Sequence, residues 1–258
     1  MNNPRKEILA EGVEIWLGDS LSLLPMIAPV SHIIGDPPYE AITHAAKGAA
    51  ARRIRTDGRD EIKALDFDCI DPIREQVAEL CAAASEGWVI LFCSPEGVGR
   101  WADVINATSA KYKRACVWVK PDSTPQLNGQ GPAMGAENFV CAWAGTGFAK
   151  WNAGGKRGVY THCCNPPTRH GGHPTEKPVS LMRELITDFT AFGDLICDPF
   201  MGSGTTGVAC VKTGRRFVGI EREPKYFDMA CHRISDALKS PDLFIKAPAP
   251  KAKQEFLL

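Results

Sequence analysis

The sequence predicts an α/β fold: a mostly parallel, twisted sheet with helices on both faces. Three observations lead there. Short apolar runs alternate with segments whose apolar residues recur at helical spacing, the pattern of strand–helix–strand units. One run, Trp88–Cys93 (WVILFC), is apolar at every position, as a strand buried on both faces must be. Four acids, Asp19, Asp36, Asp198 and Glu221, each stand just after a predicted strand. Ligands of parallel sheets bind at that carboxyl end, so all four are expected to face one crevice.

The elements follow in order. Val13–Leu17 reads as a strand ending at Gly18-Asp19-Ser20, with a brief helix over 21–26. Ile33-Ile34 is a strand running into Asp36. Residues 40–66 lack periodicity and carry Lys47, Arg52, Arg53, Arg55, Arg59 and Lys63, which suggests a loop that contacts a polyanion. Ile73, Val77, Leu80, Cys81 and Ala84 mark a helix, and Trp88–Cys93 the next strand. Residues 95–107 form a helix with proline near its start, and 116–119 a strand. Residues 121–135, rich in Pro, Gly, Asn and Gln, form a loop, and 139–143 a strand. Residues 144–172 show little periodicity. Helix resumes at Pro178, with Leu181, Leu185, Ile186 and Phe189 on one face. Strand 195–197, helix 205–212, strand 217–220 and helix 224–238 complete a single domain over residues 1–240, and 241–258 form a loosely held tail.

The chain has 258 residues, 44% of them apolar and 23% charged, enough for one sizeable core. Its formal net charge is zero, so binding to a polyanion requires local segregation of charge. No apolar run reaches the roughly 20 residues of a membrane span, and the amino end is polar rather than signal-like. The ten cysteines are scattered, several in apolar segments, and none forms a Cys-x-x-Cys pair. Reduced thiols in a cytoplasmic protein are the expectation. His162, Cys163, Cys164, His170 and His173 match no standard zinc spacing, and no metal is expected.

Two segments carry chemistry. In Asp36-Pro37-Pro38-Tyr39 the prolines stiffen the backbone and remove two N–H groups. Bare carbonyl acceptors are left beside a carboxylate and an aromatic ring. That set suits a flat base with an exocyclic NH2, although a rigid turn would use the same residues. The second segment runs from Asp198 to Thr206 (DPFMGSGTT), after a strand and before a helix. Its glycines let a ligand approach the backbone, and the helix start offers free N–H groups. It is neither a P-loop nor a G-x-G-x-x-G fingerprint. Glu221 ends the following strand, where a carboxylate can accept ribose hydroxyls; capping of the next helix is the alternative. Asp19 and Thr175 could likewise be simple N-caps.

DPPY, HPTEKP, DPFMGSGTT and GIE, in that order and spanning residues 11–236, resemble the DNA amino-methyltransferases. The order, with DPPY ahead of the glycine turn, is similar to the permuted beta class. Trp118-Val119-Lys120-Pro121 and Glu137-Asn138-Phe139-Val140 also fit that class. The resemblance implies a Rossmann-like S-adenosylmethionine-dependent fold with permuted motif order. It implies that Asp198, Pro199, Phe200, Gly202, Ser203 and Gly204 line the methionine end of S-adenosylmethionine, with Thr205 and Thr206 nearby. Glu221 would hold the ribose and Asp19 the adenine amino group, and Lys177 with Thr175 would reach the cofactor carboxylate. Asp36, Pro37, Pro38 and Tyr39 would form the catalytic set, Asp36 also bordering the cofactor, and act on a base turned out of the duplex. An aspartate at the first position leans to adenine N6 over cytosine N4. The absence of any Pro-Cys step argues against carbon-5 cytosine chemistry. A catalytically silent nucleic-acid-binding relative is the rival of another class.

The partner implied is double-stranded DNA, with a homodimer and a companion restriction nuclease as further expectations in a prokaryotic or phage setting, associated with the nucleoid. Candidate phosphate contacts are Arg52, Arg53 and Arg55, and Lys150, Lys156, Arg157 and Arg169 in an acid-free stretch. Residues 144–172 would be a short target-recognition segment.

Overall fold

The computed structural model describes residues 4–27, 29–40, 69–125, 131–165 and 176–240. The expected loop over 40–66, apart from Glu40, the 241–258 tail, Thr175 and Arg169 lie outside them.

The strands are β1 (Lys6–Ala10), β2 (Val13–Leu17), β3 (His32–Gly35), β4 (Trp88–Cys93), β5 (Lys111–Val119), β6 (Ala136–Trp143), β7 (Val159–Thr161), β8 (Leu195–Asp198) and β9 (Arg216–Glu221). Among the described residues the helices are α1 (Ser20–Leu23), α2 (Arg74–Ala84), α3 (Val98–Asn106), α4 (Val179–Phe189), α5 (Thr205–Val211) and α6 (Pro224–Lys239), with 3-10 turns at Leu24–Met26 and Pro95–Gly97. All the strands join one sheet, in the order β1-β2-β9-β8-β3-β4-β6-β5-β7. The central run from β2 to β4 is parallel throughout. Antiparallel pairing enters at β1 on one side and at β6 on the other.

Side chains along the strands alternate between two cores, as the strand period requires. In β4, Trp88, Ile90 and Phe92 face one core, where α4, α5 and α6 add Leu181, Leu185, Val208, Phe227 and Ile234. Val89, Leu91 and Cys93 face the other, packed by Val77 and Cys81 of α2 and Trp101 and Ile105 of α3. Both faces of the sheet are therefore covered, which explains why β4 reads as a continuous apolar run.

The structure adds two strands to the sequence reading. β1 begins with Lys6 and Glu7 and is an edge strand, so it lacks an apolar run. β7 is three residues long and lies within the stretch that shows no periodicity. β5 begins at Lys111 rather than 116, because its exposed first half carries Lys111, Lys113 and Arg114 on an outer strand. The helix expected over 95–107 is a 3-10 turn followed by α3. All ten cysteines are free. Among the described residues no helix is long and apolar enough to cross a membrane, and no group of three metal-ligating side chains occurs.

Candidate active site

The central parallel strands β8 and β3 are hydrogen-bonded neighbours, but the chain leaves them in opposite directions, β8 towards β9 and β3 towards β4. Such a switch point opens a crevice at the strands' carboxyl ends. A cavity of about 520 Å³ lies there. Its walls include Asp19, Asp36, Pro37, Pro38, Tyr39, Lys177, Asp198, Pro199, Phe200, Gly202, Ser203, Thr205, Thr206 and Glu221. The DPPY segment and the glycine turn, far apart in sequence, thus share one cavity. Gly204 is not among the lining residues.

The glycine turn is built by backbone geometry and two carboxylates. Gly202 and Gly204 have φ of 53° and 83°, the left-handed region that penalises any Cβ. A Cβ on Gly204 would also stand 2.8 Å from the Ala230 Cβ, so the turn packs directly on α6. Asp198 accepts the Phe200 N–H at 2.9 Å and the Thr206 hydroxyl at 2.5 Å. Burial nevertheless pushes its carboxyl up to about 7. Glu221 accepts the Gly202 N–H at 2.7 Å and the Glu223 N–H at 2.8 Å, and burial raises it as well. Arg233 of α6 donates to the Ser203 carbonyl at 2.7 Å and to Glu176 at 2.6 Å, tying the turn to the segment before α4. Asp19 caps α1, accepting the Ser22 N–H at 3.0 Å, and lines the cavity at the same time.

The DPPY end is a charged cluster. Lys177 Nζ lies 2.6 Å from Asp36 Oδ2, 3.2 Å from the Tyr39 hydroxyl and 3.2 Å from Glu137 Oε2. Tyr39 donates to Glu137 Oε2 at 2.8 Å, and Lys120 pairs with the other Glu137 oxygen. Burial raises the Asp36 carboxyl, and the Lys177 ammonium opposes that rise. Burial also works against Glu137, but Lys177 and Lys120 outweigh it and hold that carboxyl at about 2. The remaining oxygen of Asp36, Oδ1, is buried and has no hydrogen-bond partner among the described residues.

Lys177 lines the cavity, and its ammonium sits on Asp36. Pro178 is the N-cap residue of α4 rather than part of its first turn. Glu137 and Lys120 were given no function by sequence reasoning, although both segments were marked. The signal is that Lys120 follows the end of β5 and Glu137 opens its antiparallel partner β6, so both fall at the cavity end. Beneath the loop, buried Glu40 pairs with Arg74 at 3.3 Å and accepts the Ser94 N–H at 3.3 Å. Gly97 makes room for it: a Cβ there would stand 1.9 Å from Glu40 Oε1.

Of the predicted phosphate contacts, the three in the described residues, Lys150, Lys156 and Arg157, are not gathered at the cavity. The Lys150 carbonyl accepts the Trp88 indole N–H at 2.5 Å, at the amino end of β4, opposite the cavity. Lys156 pairs with Glu184 at 2.7 Å and with Asp188 near the far end of α4. Arg157 is exposed beside it. None of the three lines the cavity.

The donor set suits a cationic nucleoside. Asp36, Glu176, Asp198 and Glu221 all line the cavity, and Glu176 Oε2 is buried without a partner among the described residues. Carboxylates with free lone pairs favour a sulfonium and an ammonium group, and Glu221 beside the glycine turn favours ribose hydroxyls.

Comparison with known proteins agrees with this chemistry. The family model described as DNA methylase, of the N6/N4 type, matches residues 30–232. The type II methyltransferase M2.DpnII of Streptococcus pneumoniae is 50% identical over 64 residues, which are 25% of this chain and 24% of that protein. M2.LlaDCHI of Lactococcus lactis subsp. cremoris is 26% identical over 236 residues, covering 84% of this chain and 87% of that one. Among solved structures, the M1.HpyAVI–SAM complex superposes with a TM-score of 0.66 at 26% identity, covering 85% of this chain and 98% of that chain. The cytosine-N4-specific PvuII methyltransferase shares the fold, with a TM-score of 0.65 at 18% identity, over 88% and 91% of the two chains. S-adenosylmethionine is the cofactor of this group of enzymes, and the acidic cavity fits it. With the family model matching most of its length, the chain belongs to the DNA amino-methyltransferases of the N6-adenine/N4-cytosine class.

Proposed function

We propose that this protein methylates the exocyclic N6 of adenine in double-stranded DNA, at specific sites, on a base rotated out of the helix. The observation that carries this reading is Asp36 at the wall of the cavity that also holds the glycine turn and Glu221. An exocyclic amine is a poor nucleophile because its lone pair is delocalised into the ring. Asp36 and the Pro37 carbonyl accept its two N–H bonds and favour a pyramidal nitrogen. Tyr39 offers a ring face on which the extruded base stacks. The cofactor, when bound, supplies a methyl group on a positively charged sulfur. Asp198, Glu221 and the Gly202 turn would hold it, with Asp19 at the adenine end. The work of the chain is positioning and electrostatics, with no covalent enzyme–base bond. After transfer the amine nitrogen must release one proton, and Asp36 is the carboxylate placed to take it.

The test is product analysis. The protein is incubated with unmodified DNA and S-adenosylmethionine, the DNA is digested to nucleosides, and the methylated species is identified by mass. N6-methyladenine is expected. N4-methylcytosine would reassign the base while leaving the class intact, and no methylated nucleoside would overturn the reading.

A further inference from the structure

Lys177 is buried, yet its ammonium reaches Asp36, Tyr39 and Glu137 rather than the glycine turn. The ammonium also lies 5.3 Å from the centre of the Tyr39 ring and 5.0 Å from that of Phe92. Glu137 is locked in turn by Lys120 and by the Tyr39 hydroxyl. Two carboxylates, two ammonium groups and a phenol from distant stretches of chain therefore form one neutral cluster.

The titratable groups around Asp36 are Lys177 ahead of α4, Glu137 of β6, Tyr39 in its own loop, Cys93 of β4 and Asp198 of β8. Burial raises the Cys93 thiol and the Tyr39 phenol, so both stay neutral. Glu137 and Asp198 are acids that disfavour a charge on Asp36. Lys177 is the cation in contact with it. Without Lys177, burial and two neighbouring acids would all favour the protonated form of Asp36, which accepts less well from the substrate amine. The Lys177 ammonium holds Oδ2 at 2.6 Å and so fixes the orientation of the carboxylate at the cavity wall.

We propose that Lys177 and Glu137 form a charge clamp on Asp36. Lys177 keeps the carboxylate ionised and pins one of its oxygens, and Glu137 fixes both Lys177 and the Tyr39 ring. Both are positioning residues that act through Asp36, and Lys177 is not a ligand of the cofactor. The proposal rests on Asp36 as the acceptor of the substrate amine and holds for adenine or cytosine alike.

The experiment compares wild type, Lys177→Met and Glu137→Gln. Calorimetry gives the affinity for S-adenosylmethionine, and single-turnover methyl transfer to unmethylated DNA is followed against pH. Lys177→Met is expected to bind the cofactor within about threefold of wild type. Its rate near neutral pH falls by about tenfold or more, and its acid limb moves up by about one pH unit, so part of the loss is regained in alkali. Glu137→Gln removes a repelling anion, and its acid limb moves the other way. A tenfold loss of cofactor affinity in Lys177→Met with an unmoved acid limb would overturn the clamp and return Lys177 to the cofactor. Should Lys177→Met fail to fold, the near-isosteric Glu137→Gln decides, and an unmoved or raised acid limb there overturns the proposal. A wild type that methylates no amine would refute the reading of the enzyme itself, a result distinct from either.

Discussion

Asp36 combines two demands that conflict in water: it must be buried enough to exclude solvent from the reacting amine, yet remain an acceptor. Its contact with Lys177 at 2.6 Å meets the second demand, and its place in the cavity lining sets it beside the glycine turn. Asp36→Ala is expected to abolish methyl transfer, a loss of about 10³-fold or more, with cofactor affinity within about threefold of wild type. Single-turnover rates and calorimetry check the two halves separately. Full activity in that variant would end the role given to Asp36. The DPPY residues were legible as a candidate site because two consecutive prolines beside an acid and an aromatic ring form an unusual local set. Glu137 and Lys120 were not, because a lone acid and a lone lysine on neighbouring strands gain meaning only when the β5–β6 register sets them together.

The strand–turn–helix made by β8 and α5 works because two glycines take left-handed backbone angles and one packs against α6. Gly204→Ala is expected to cost about 1–3 kcal/mol of stability through overpacking on Ala230, and to weaken cofactor binding, read by denaturant unfolding and calorimetry. Asp198 gives this element a pH dependence. Folding raises its carboxyl from 3.8 to about 7, so between those values the folded protein holds the extra proton. Its contribution to stability is therefore full below the ordinary carboxylate range and is lost as pH rises through about 7. The melting temperature of the ligand-free protein should decline across that window, and Asp198→Asn should flatten the decline. Thermal denaturation at several pH values measures both. Under the DPPY loop, Glu40→Ala leaves buried Arg74 with Asp71 as its remaining carboxylate partner at 2.8 Å. A cost of about 3 kcal/mol is expected, at the low end for breaking a buried pair.

At the scale of the whole molecule, the sheet order brings Asp19, Glu221, Asp198 and Asp36 to the ends of four adjacent strands, β2, β9, β8 and β3. It also separates the cavity from Lys150 and Lys156, which lie towards the opposite end of the sheet. Neutralising Lys150 and Lys156 together is expected to leave the salt dependence of DNA binding unchanged. Arg52→Ala with Arg53→Ala is expected to weaken binding and flatten the slope of log affinity against log salt by about 2. Fluorescence anisotropy over a range of salt concentrations distinguishes the two pairs. An unchanged slope in the arginine variant would remove those residues from the interface.

By itself the sequence determined the alternation of strands and helices, the apolar run of β4 and the motifs at the strand ends. These are local properties: side-chain period, backbone freedom at glycine and proline, and the chemistry of neighbouring residues. Strand order and register were decided by the tertiary structure, which placed the Lys177 ammonium on Asp36 and Glu137 behind it. No local pattern encodes such pairings, because they arise from packing two faces of one sheet at once, and only that packing sets which distant charges share a buried volume.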